Sequence, residues 1–180
     1  PKLKVMGLEI VRSSTPGPVR ESLKEAVRLV LTSGEEELHD YIEKTKAEFK
    51  SMEPEEIAFP RGCNNLQKYY SSADVYTKGT PIHVRGSLLY NNLIKKNNLF
   101  VKYEQIQEGD KIKFLYLKEP NTIGENTIAF VTKLPKEFNI HPYVDYDTIF
   151  DKAFIEPLKN ILNPIGWNTE PQATLEDLFA

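Results

Sequence analysis

The chain has 180 residues, of which 40% are hydrophobic and 27% charged, a composition typical of a folded globular protein rather than of a disordered chain. The single cysteine, Cys63, excludes an internal disulfide, and no apolar run reaches the roughly 18 residues that a membrane span needs. The sequence starts with Pro1-Lys2-Leu3-Lys4, without an initiator methionine or a signal-peptide pattern. We interpret this start as a cut inside a longer protein.

The first 50 residues predict a short strand followed by two helices. Leu3 to Val11 has strand-like content, and the stretch from Ser13 to Pro18 interrupts it. Two stripes of apolar residues at helical spacing follow, and Ser33-Gly34 separates them. The stripes are Val19, Leu23, Val27, Val30 and Leu31, and then Leu38, Tyr41, Ile42, Thr45 and Phe49. Because the connection has only two residues, we expect an antiparallel helix pair.

The middle of the chain predicts one long helix between irregular segments. Ile57 to Phe59 is a short strand or an extended entry to the loop Pro60–Asn65, and Leu66 to Tyr70 is one helical turn. Thr80 has the chemistry of an N-cap and Pro81 that of a first helical residue, so a helix is expected from there to about Lys96.

The last third predicts a hairpin and a final helix. Lys111–Lys118 and Asn126–Leu134 are expected to form two antiparallel strands, joined by the loop between them. Asp147–Leu162 has the pattern of an amphipathic helix in which Pro157 predicts a kink or an early stop. The fold class is therefore α+β, mostly helical with one small antiparallel sheet.

Charge is distributed unevenly along the chain. Seven of the 23 basic residues, but one of the 26 acidic residues, lie between Ile57 and Lys102, so this stretch carries +6 while the whole chain carries −3. A basic segment in an acidic chain is typical of a site for a polyanion, although a solvated basic surface is the alternative. The basic residues are Arg61, Lys68, Lys78, Arg85, Lys95, Lys96 and Lys102.

Catalytic and metal-binding patterns are weak. Cys63 has no partner that the sequence places beside it, and a lone cysteine is usually inert. The histidines His39, His83 and His141 do not have the spacing of metal ligands. Asp145-Tyr146-Asp147 resembles a carboxylate pair for two metal ions, but such a pair is more often a turn that leads into a helix. We predict no catalytic residue and no metal site on this chain.

Two glycine-containing loops in the basic segment have the chemistry of phosphate binding. In Lys78-Gly79-Thr80, the glycine allows close approach of a ligand, the threonine can cap the helix or donate to a phosphate, and the helix N-terminus offers free amides. His83 and Arg85 can add charge nearby. The earlier loop has a similar glycine turn, small amides and flanking cations, so both predict contacts that grip a duplex without reading its sequence. The alternative is two ordinary capped loops.

Several motifs in order resemble T-even-like phage DNA polymerases. Pro1 to Glu9 and Ser13-Ser14-Thr15-Pro16 resemble the junction between their palm and thumb. Their thumb is resembled by four further stretches: Pro60–Tyr70, Lys78–Gly86, Leu89-Tyr90-Asn91 and Ala153–Leu158. The resemblance covers the whole chain, and it departs from the family at Glu156, where relatives often carry a basic residue.

The resemblance implies a thumb that wraps the minor groove and backbone of primer–template duplex DNA. It divides the chain into the end of the palm (1–14), the thumb (15–165) and a tail (166–180). The metal-binding carboxylates and the exonuclease of such a B-family polymerase would lie upstream, so this chain alone should be inactive, and magnesium is expected only for the parent enzyme. The cytoplasm of the infected bacterial host is the expected location. The predicted DNA-binding residues are Arg61, Gly62, Asn64, Asn65, Lys68, Lys78, Gly79, Thr80, His83 and Arg85.

The tail fits the pattern of a peptide that binds a sliding clamp. Gln172 is followed by Leu175 and then by Leu178 and Phe179, and the three apolar residues share one face of a helical turn. It resembles the clamp-binding tail of the phage polymerases, and we expect the residues from Gly166 onward to form a flexible leash. The alternative is a helical turn that packs on its own domain.

Two other functions compete with the polymerase assignment. The first is a free-standing DNA-binding replication factor with the same clamp tail, which would need its own start codon. The second is a structural module that binds no DNA, which a binding assay across a salt series would identify.

Overall fold

The computed structural model describes residues 12–173 and residue 179, and it has the predicted α+β architecture. Seven α-helices and five strands make up the described part of the chain. The elements are α1 (Gly17–Thr32), α2 (Glu35–Lys50), α3 (Pro54–Ile57), β1 (Phe59–Gly62), α4 (Leu66–Tyr69), β2 (Tyr70–Ser71), β3 (Val75–Tyr76), α5 (Ile82–Lys96), β4 (Lys111–Tyr116), β5 (Thr127–Phe130), α6 (Tyr146–Phe150), a π-helical segment (Asp151–Ile155) and α7 (Glu156–Leu162). Within these residues, no helix is long and apolar enough to cross a membrane.

Three strands form an antiparallel sheet in the order β1-β4-β5. The predicted hairpin of β4 and β5 is confirmed, although both strands are shorter than expected. The extended segment after Ile57 becomes β1, which pairs with β4 so that Phe59 lies opposite Phe114 and Arg61 lies opposite Ile112. The separate ribbon of β2 and β3 has two residues in each strand.

Helix α5 crosses the sheet at a glycine. Gly86 is buried, and a Cβ atom added to it would lie 2.9 Å from the amide nitrogen of Ala129 and 3.0 Å from the carbonyl carbon of Ile128. Such distances mean that only glycine lets the helix backbone lie this close to β5. The contact leaves the middle of α5 buried and exposes mainly its two ends.

The paired helices α1 and α2 pack against the final helix. Phe49 on α2 lies 5.2 Å from Phe150, measured between ring centroids, and Phe150 stacks on Phe154 at 4.9 Å. All three rings are buried, so this aromatic contact joins the N-terminal helix pair to the C-terminal helix.

The final helix continues through Pro157 to Leu162, so the early stop is not observed. The chain instead widens into the π-helical segment just before the proline, and the amide of Glu156 donates to the carbonyl of Asp151. Because proline lacks an amide and its ring clashes with the preceding turn, one wide turn lets the helix accommodate it.

Three local predictions differ from the structure. Ile57 ends a short helix that begins at Pro54, where Glu53 and Glu56 form a reciprocal capping box. Thr80 does not cap α5, because its hydroxyl donates to the carbonyl of Thr77 at 2.6 Å and Pro81 takes the N-cap position. The expected strand at Leu3–Val11 lies outside the described residues.

Candidate nucleic-acid interface

The loop before α5 exposes the first candidate group. Lys78 and Gly79 are exposed, and Gly79 has a φ of +83°, which explains the choice of glycine there. Helix α5 follows with 15 residues and, among the described residues, has no side-chain cap. Its N-terminal end therefore presents the positive end of a helix dipole beside the Lys78 ammonium group.

Arg61 and His83 lie together on one side of this end. Arg61 is an exposed residue of β1, and His83 is a half-buried residue in the first turn of α5. Burial, and then the positive charge of Arg61, lower the pKa of His83. The imidazole is therefore held neutral near pH 7, and it can donate or accept a hydrogen bond beside the Arg61 guanidinium.

A strip of aromatic rings extends from His83 across the sheet. The His83 ring lies 6.4 Å from Phe114, and Phe114 lies 5.9 Å from Tyr116. At the far end, the Lys152 ammonium group lies 5.3 Å from the centroid of the Tyr116 ring. Lys152, from the π-helical segment, was missed by the sequence analysis. No local motif marks it, because its position depends on how the last helix packs beside β4.

The loop Gly62–Asn65 is held by an internal carboxylate. Glu108 accepts hydrogen bonds from the amides of Asn65 at 2.6 Å and Leu66 at 3.0 Å. These two amides were expected to be available for phosphate, but Glu108 already uses them. The side chains of Asn64 and Asn65, together with Gly62 and Lys68, remain exposed.

Arg85 points to a different side of α5 from His83. Its guanidinium Nη1 lies 2.7 Å from Asn126 Oδ1 and 3.2 Å from Glu125 Oε2, and its Cζ lies 5.7 Å from the centroid of the Tyr76 ring. Residues two apart on a helix are separated by about 200°, so the two side chains could not share one phosphate site. Arg85 is therefore engaged in internal contacts, whereas Arg61 and Lys78 are exposed.

The other cations of the basic segment lie at the far end of α5. Lys95 and Lys96 occupy its last turn, where positive charge complements the helix dipole. Lys102 pairs with Glu137 at 3.4 Å. The continuous basic stretch of the sequence thus folds into two separate surfaces.

The acidic and sulfur groups have structural roles. The Asp145 side chain caps α6 by accepting from the amide of Thr148, and Asp147 pairs with Lys50 at 2.9 Å. This is the helix-entry arrangement that was considered the more common one. Cys63 is buried, and burial raises the pKa of its thiol. No group of three potential metal-ligating side chains is found within residues 12–173.

The tail begins in contact with α2. The amide of Asn168 donates to Glu35 Oε1 at 2.9 Å, its carbonyl oxygen lies 2.7 Å from His39 Nε2, and Thr169 is buried. The leash was expected from Gly166, so these contacts differ from the prediction. Among the predicted clamp-binding residues, Gln172 is exposed and Phe179 is 85% exposed, while Leu175 and Leu178 lie outside the described residues.

Sequence comparison assigns the chain to a class of protein, because it is related along its length to DNA-directed DNA polymerases of bacteriophages. It is 33% identical over 183 residues to the polymerase of Enterobacteria phage T4, and 38% identical over 184 residues to that of Escherichia phage RB69. Each comparison covers 99% of this chain but 20% of the relative, so the chain spans about one fifth of the length of these relatives. No protein-family model matches the sequence. The resemblance to T-even-like phage polymerases is thereby confirmed, and the chain corresponds to one segment of such a polymerase.

Proposed function

We propose that this chain is the thumb of a phage DNA polymerase and that it grips primer–template duplex DNA by its phosphate backbone and minor groove. The observation that carries this proposal is the surface at the N-terminal end of α5. Arg61 and Lys78 are exposed there, and His83 lies between Arg61 and the aromatic strip that leads to Lys152. Cations at both ends of a strip of rings favour a nucleic-acid backbone over a small anion.

The binding should not depend on base sequence. Its candidate contacts are charged side chains, a glycine and a helix end, which are suited to phosphate oxygens rather than to base edges. Polymerisation and exonuclease activity, with the magnesium that they require, are assigned to other parts of the polymerase, in the cytoplasm of an infected bacterium.

A salt series tests the proposal. Fluorescently labelled duplexes of two unrelated sequences should bind the purified chain equally, with an affinity that falls steeply as salt rises, because each phosphate contact releases about 0.9 counterion. A salt-independent affinity or a marked preference for one sequence would refute backbone binding. Purified chain with primer–template, magnesium and nucleotides should not extend the primer, and extension by a clean preparation would contradict the assignment of catalysis elsewhere.

We also propose that the C-terminal tail tethers the polymerase to a sliding clamp. The exposed Phe179 supports this role, and the contacts of Asn168 with α2 fix the point from which the tail leaves the domain. An affinity of about micromolar is expected, because burial of a few apolar groups is offset by the ordering of the segment. Tethering then acts through effective concentration, since the thumb and the clamp hold the same duplex.

A peptide comparison tests the tether. A peptide of residues 172–180 should bind the cognate clamp, and the Leu175→Ala/Phe179→Ala peptide should not. The same two substitutions in the full chain should leave duplex binding unchanged. Equal clamp binding by the two peptides would exclude the proposed motif.

A further inference from the structure

One carboxylate holds both ends of the loop that carries Lys78. The hydroxyl of Tyr76, directly before this loop, donates to Glu125 at 2.9 and 3.1 Å to its two oxygens. Arg85, four residues after the loop, donates to the same carboxylate at 3.2 Å. The side chains of Arg85 and Glu125 are 19% and 20% exposed, so water competes with these contacts only in part.

Glu125 is itself held firmly by the β4–β5 connection. Asn121 Nδ2 donates to the carbonyl of Glu125 at 2.7 Å and to that of Lys118 at 2.8 Å. Asn121 Oδ1 accepts from the amides of Ile123 at 3.0 Å and Gly124 at 2.9 Å. The carboxylate thus projects from an ordered turn that is anchored to the sheet.

The loop has few other contacts to fix it. Thr80 bonds within the loop to Thr77, and the amide of Thr77 donates to the carbonyl of Tyr69. Gly79 permits a wide range of backbone angles, and a Cβ atom added to it would meet no atom within 4 Å. Without an external restraint, residues 77–81 would sample many positions, and Lys78 with the first turn of α5 would be poorly placed for phosphate.

We infer that Glu125, with Tyr76 and Arg85, forms a bracket that positions residues 77–81 for contact with DNA, and that Arg85 acts through this bracket rather than as a phosphate ligand. The inference rests on the proposed function. Arg85 was predicted to bind DNA directly, so the two roles make opposite predictions for its partner. If Glu125 only neutralises Arg85, its removal frees a cation and strengthens binding. If Glu125 positions the loop, its removal weakens binding although a negative charge is lost.

The chain contains a matched control for this experiment. Tyr103 donates to Glu137 at 2.8 Å, and Lys102 pairs with the same carboxylate at 3.4 Å. This second set of a tyrosine, a glutamate and a cation lies at the other end of α5. Glu125→Ala and Glu137→Ala therefore remove the same charge and the same kind of acceptor at the two ends of one helix.

Duplex titrations with the full chain across a potassium chloride series test the bracket. Glu125→Ala and Tyr76→Phe should weaken binding on the order of fivefold and twofold, with the salt slope unchanged, because each phosphate contact changes that slope by about 0.9. Arg85→Lys should not restore binding, since lysine lacks the guanidinium fork. Glu137→Ala should not weaken binding. Tighter binding by Glu125→Ala with a steeper slope, or full binding by Arg85→Lys, would overturn the inference.

Amide hydrogen exchange separates a failed bracket from a failed function. In Glu125→Ala and Tyr76→Phe, the amides of residues 77–80 should exchange faster than in the parent chain, while Glu137→Ala should leave them unchanged. Unchanged exchange in both bracket variants refutes the bracket whether or not the chain binds DNA. Absence of duplex binding by the parent chain, with accelerated exchange in the variants, refutes the proposed function and retains the bracket.

Discussion

The two ends of α5 have similar side chains but different surroundings. Each end has a tyrosine, a glutamate and a cation in contact: Tyr76, Glu125 and Arg85 at the N-terminal end, and Tyr103, Glu137 and Lys102 at the C-terminal end. At the first end the cation is 19% exposed, and at the second it is 67% exposed. The same three side chains can therefore restrain a loop where water is largely excluded, and contribute little where it is not.

The exposed cations differ in the same way. At the N-terminal end, Lys78 lies on a loop beside a helix dipole of matching sign, so an anion there would meet both. At the C-terminal end, Lys95 and Lys96 face the negative end of the dipole, which already stabilises them. The ends are about 22 Å apart for a helix of this length. Charge counted along the sequence cannot distinguish them.

The largest effect should come from Gly86, which joins α5 to the sheet. Gly86→Val places branched atoms where a Cβ would already lie 2.9 Å from the backbone of Ala129. We expect a loss of about 3 kcal/mol in the free energy of unfolding, because neither backbone can move away without disturbing the core. Urea denaturation measures the loss. Gly17→Ala is the control, since its added Cβ meets nothing within 4 Å. Equal stability of Gly86→Val and the parent would mean that the two ends of α5 are not coupled through this crossing.

Removal of cations at each end should break the symmetry of the basic segment. Arg61→Ala/Lys78→Ala is expected to weaken duplex binding about tenfold to a hundredfold and to lower the salt slope by about two, because two phosphate contacts are lost. Lys95→Ala/Lys96→Ala removes the same charge from the other end and should have a smaller effect on both. Equal losses for the two double variants would place DNA along the whole helix and contradict the division into two surfaces.

Sequence patterns predicted the elements with strong local signals, and they missed those that depend on distant partners. The hairpin and α5 have clear periodicity and turn residues, and both were located correctly. The short helix α3 was missed although Pro54 and the Glu53–Glu56 pair signal a helix start. Glu125 gave no signal, because its partners Arg85 and Tyr76 are 40 and 49 residues away along the chain. Lys152 was missed for the same reason.

Double-mutant cycles should sharpen the comparison of the two ion pairs. For Arg85 and Glu125 we expect a coupling of about 1 kcal/mol in the free energy of unfolding, because both side chains are largely shielded from water. For Lys102 and Glu137 we expect no measurable coupling, since the lysine is mostly exposed. Alanine at each position, singly and together, provides both cycles by urea denaturation. A larger coupling at the second pair would reverse the assignment of the restrained end.

The smallest effect concerns pH and separates the N-terminal end by its histidine. Burial and the charge of Arg61 lower the pKa of His83 below its ordinary value of 6.5. The unfolded chain therefore binds a proton at a higher pH than the folded chain does, so the contribution of His83 to stability is complete above about pH 6.5 and declines as the pH falls. A bound phosphate would favour the imidazolium, so DNA affinity should instead rise over the same pH range. His83→Gln should remove both trends, and His141→Gln, outside the candidate interface, should leave the pH dependence of binding unchanged. Urea denaturation and duplex titration between pH 7.5 and about pH 5.5 measure the two trends. If affinity in the parent chain falls together with stability, His83 does not contact phosphate, and the interface is limited to Arg61, Lys78 and the loop between Tyr76 and Ile82.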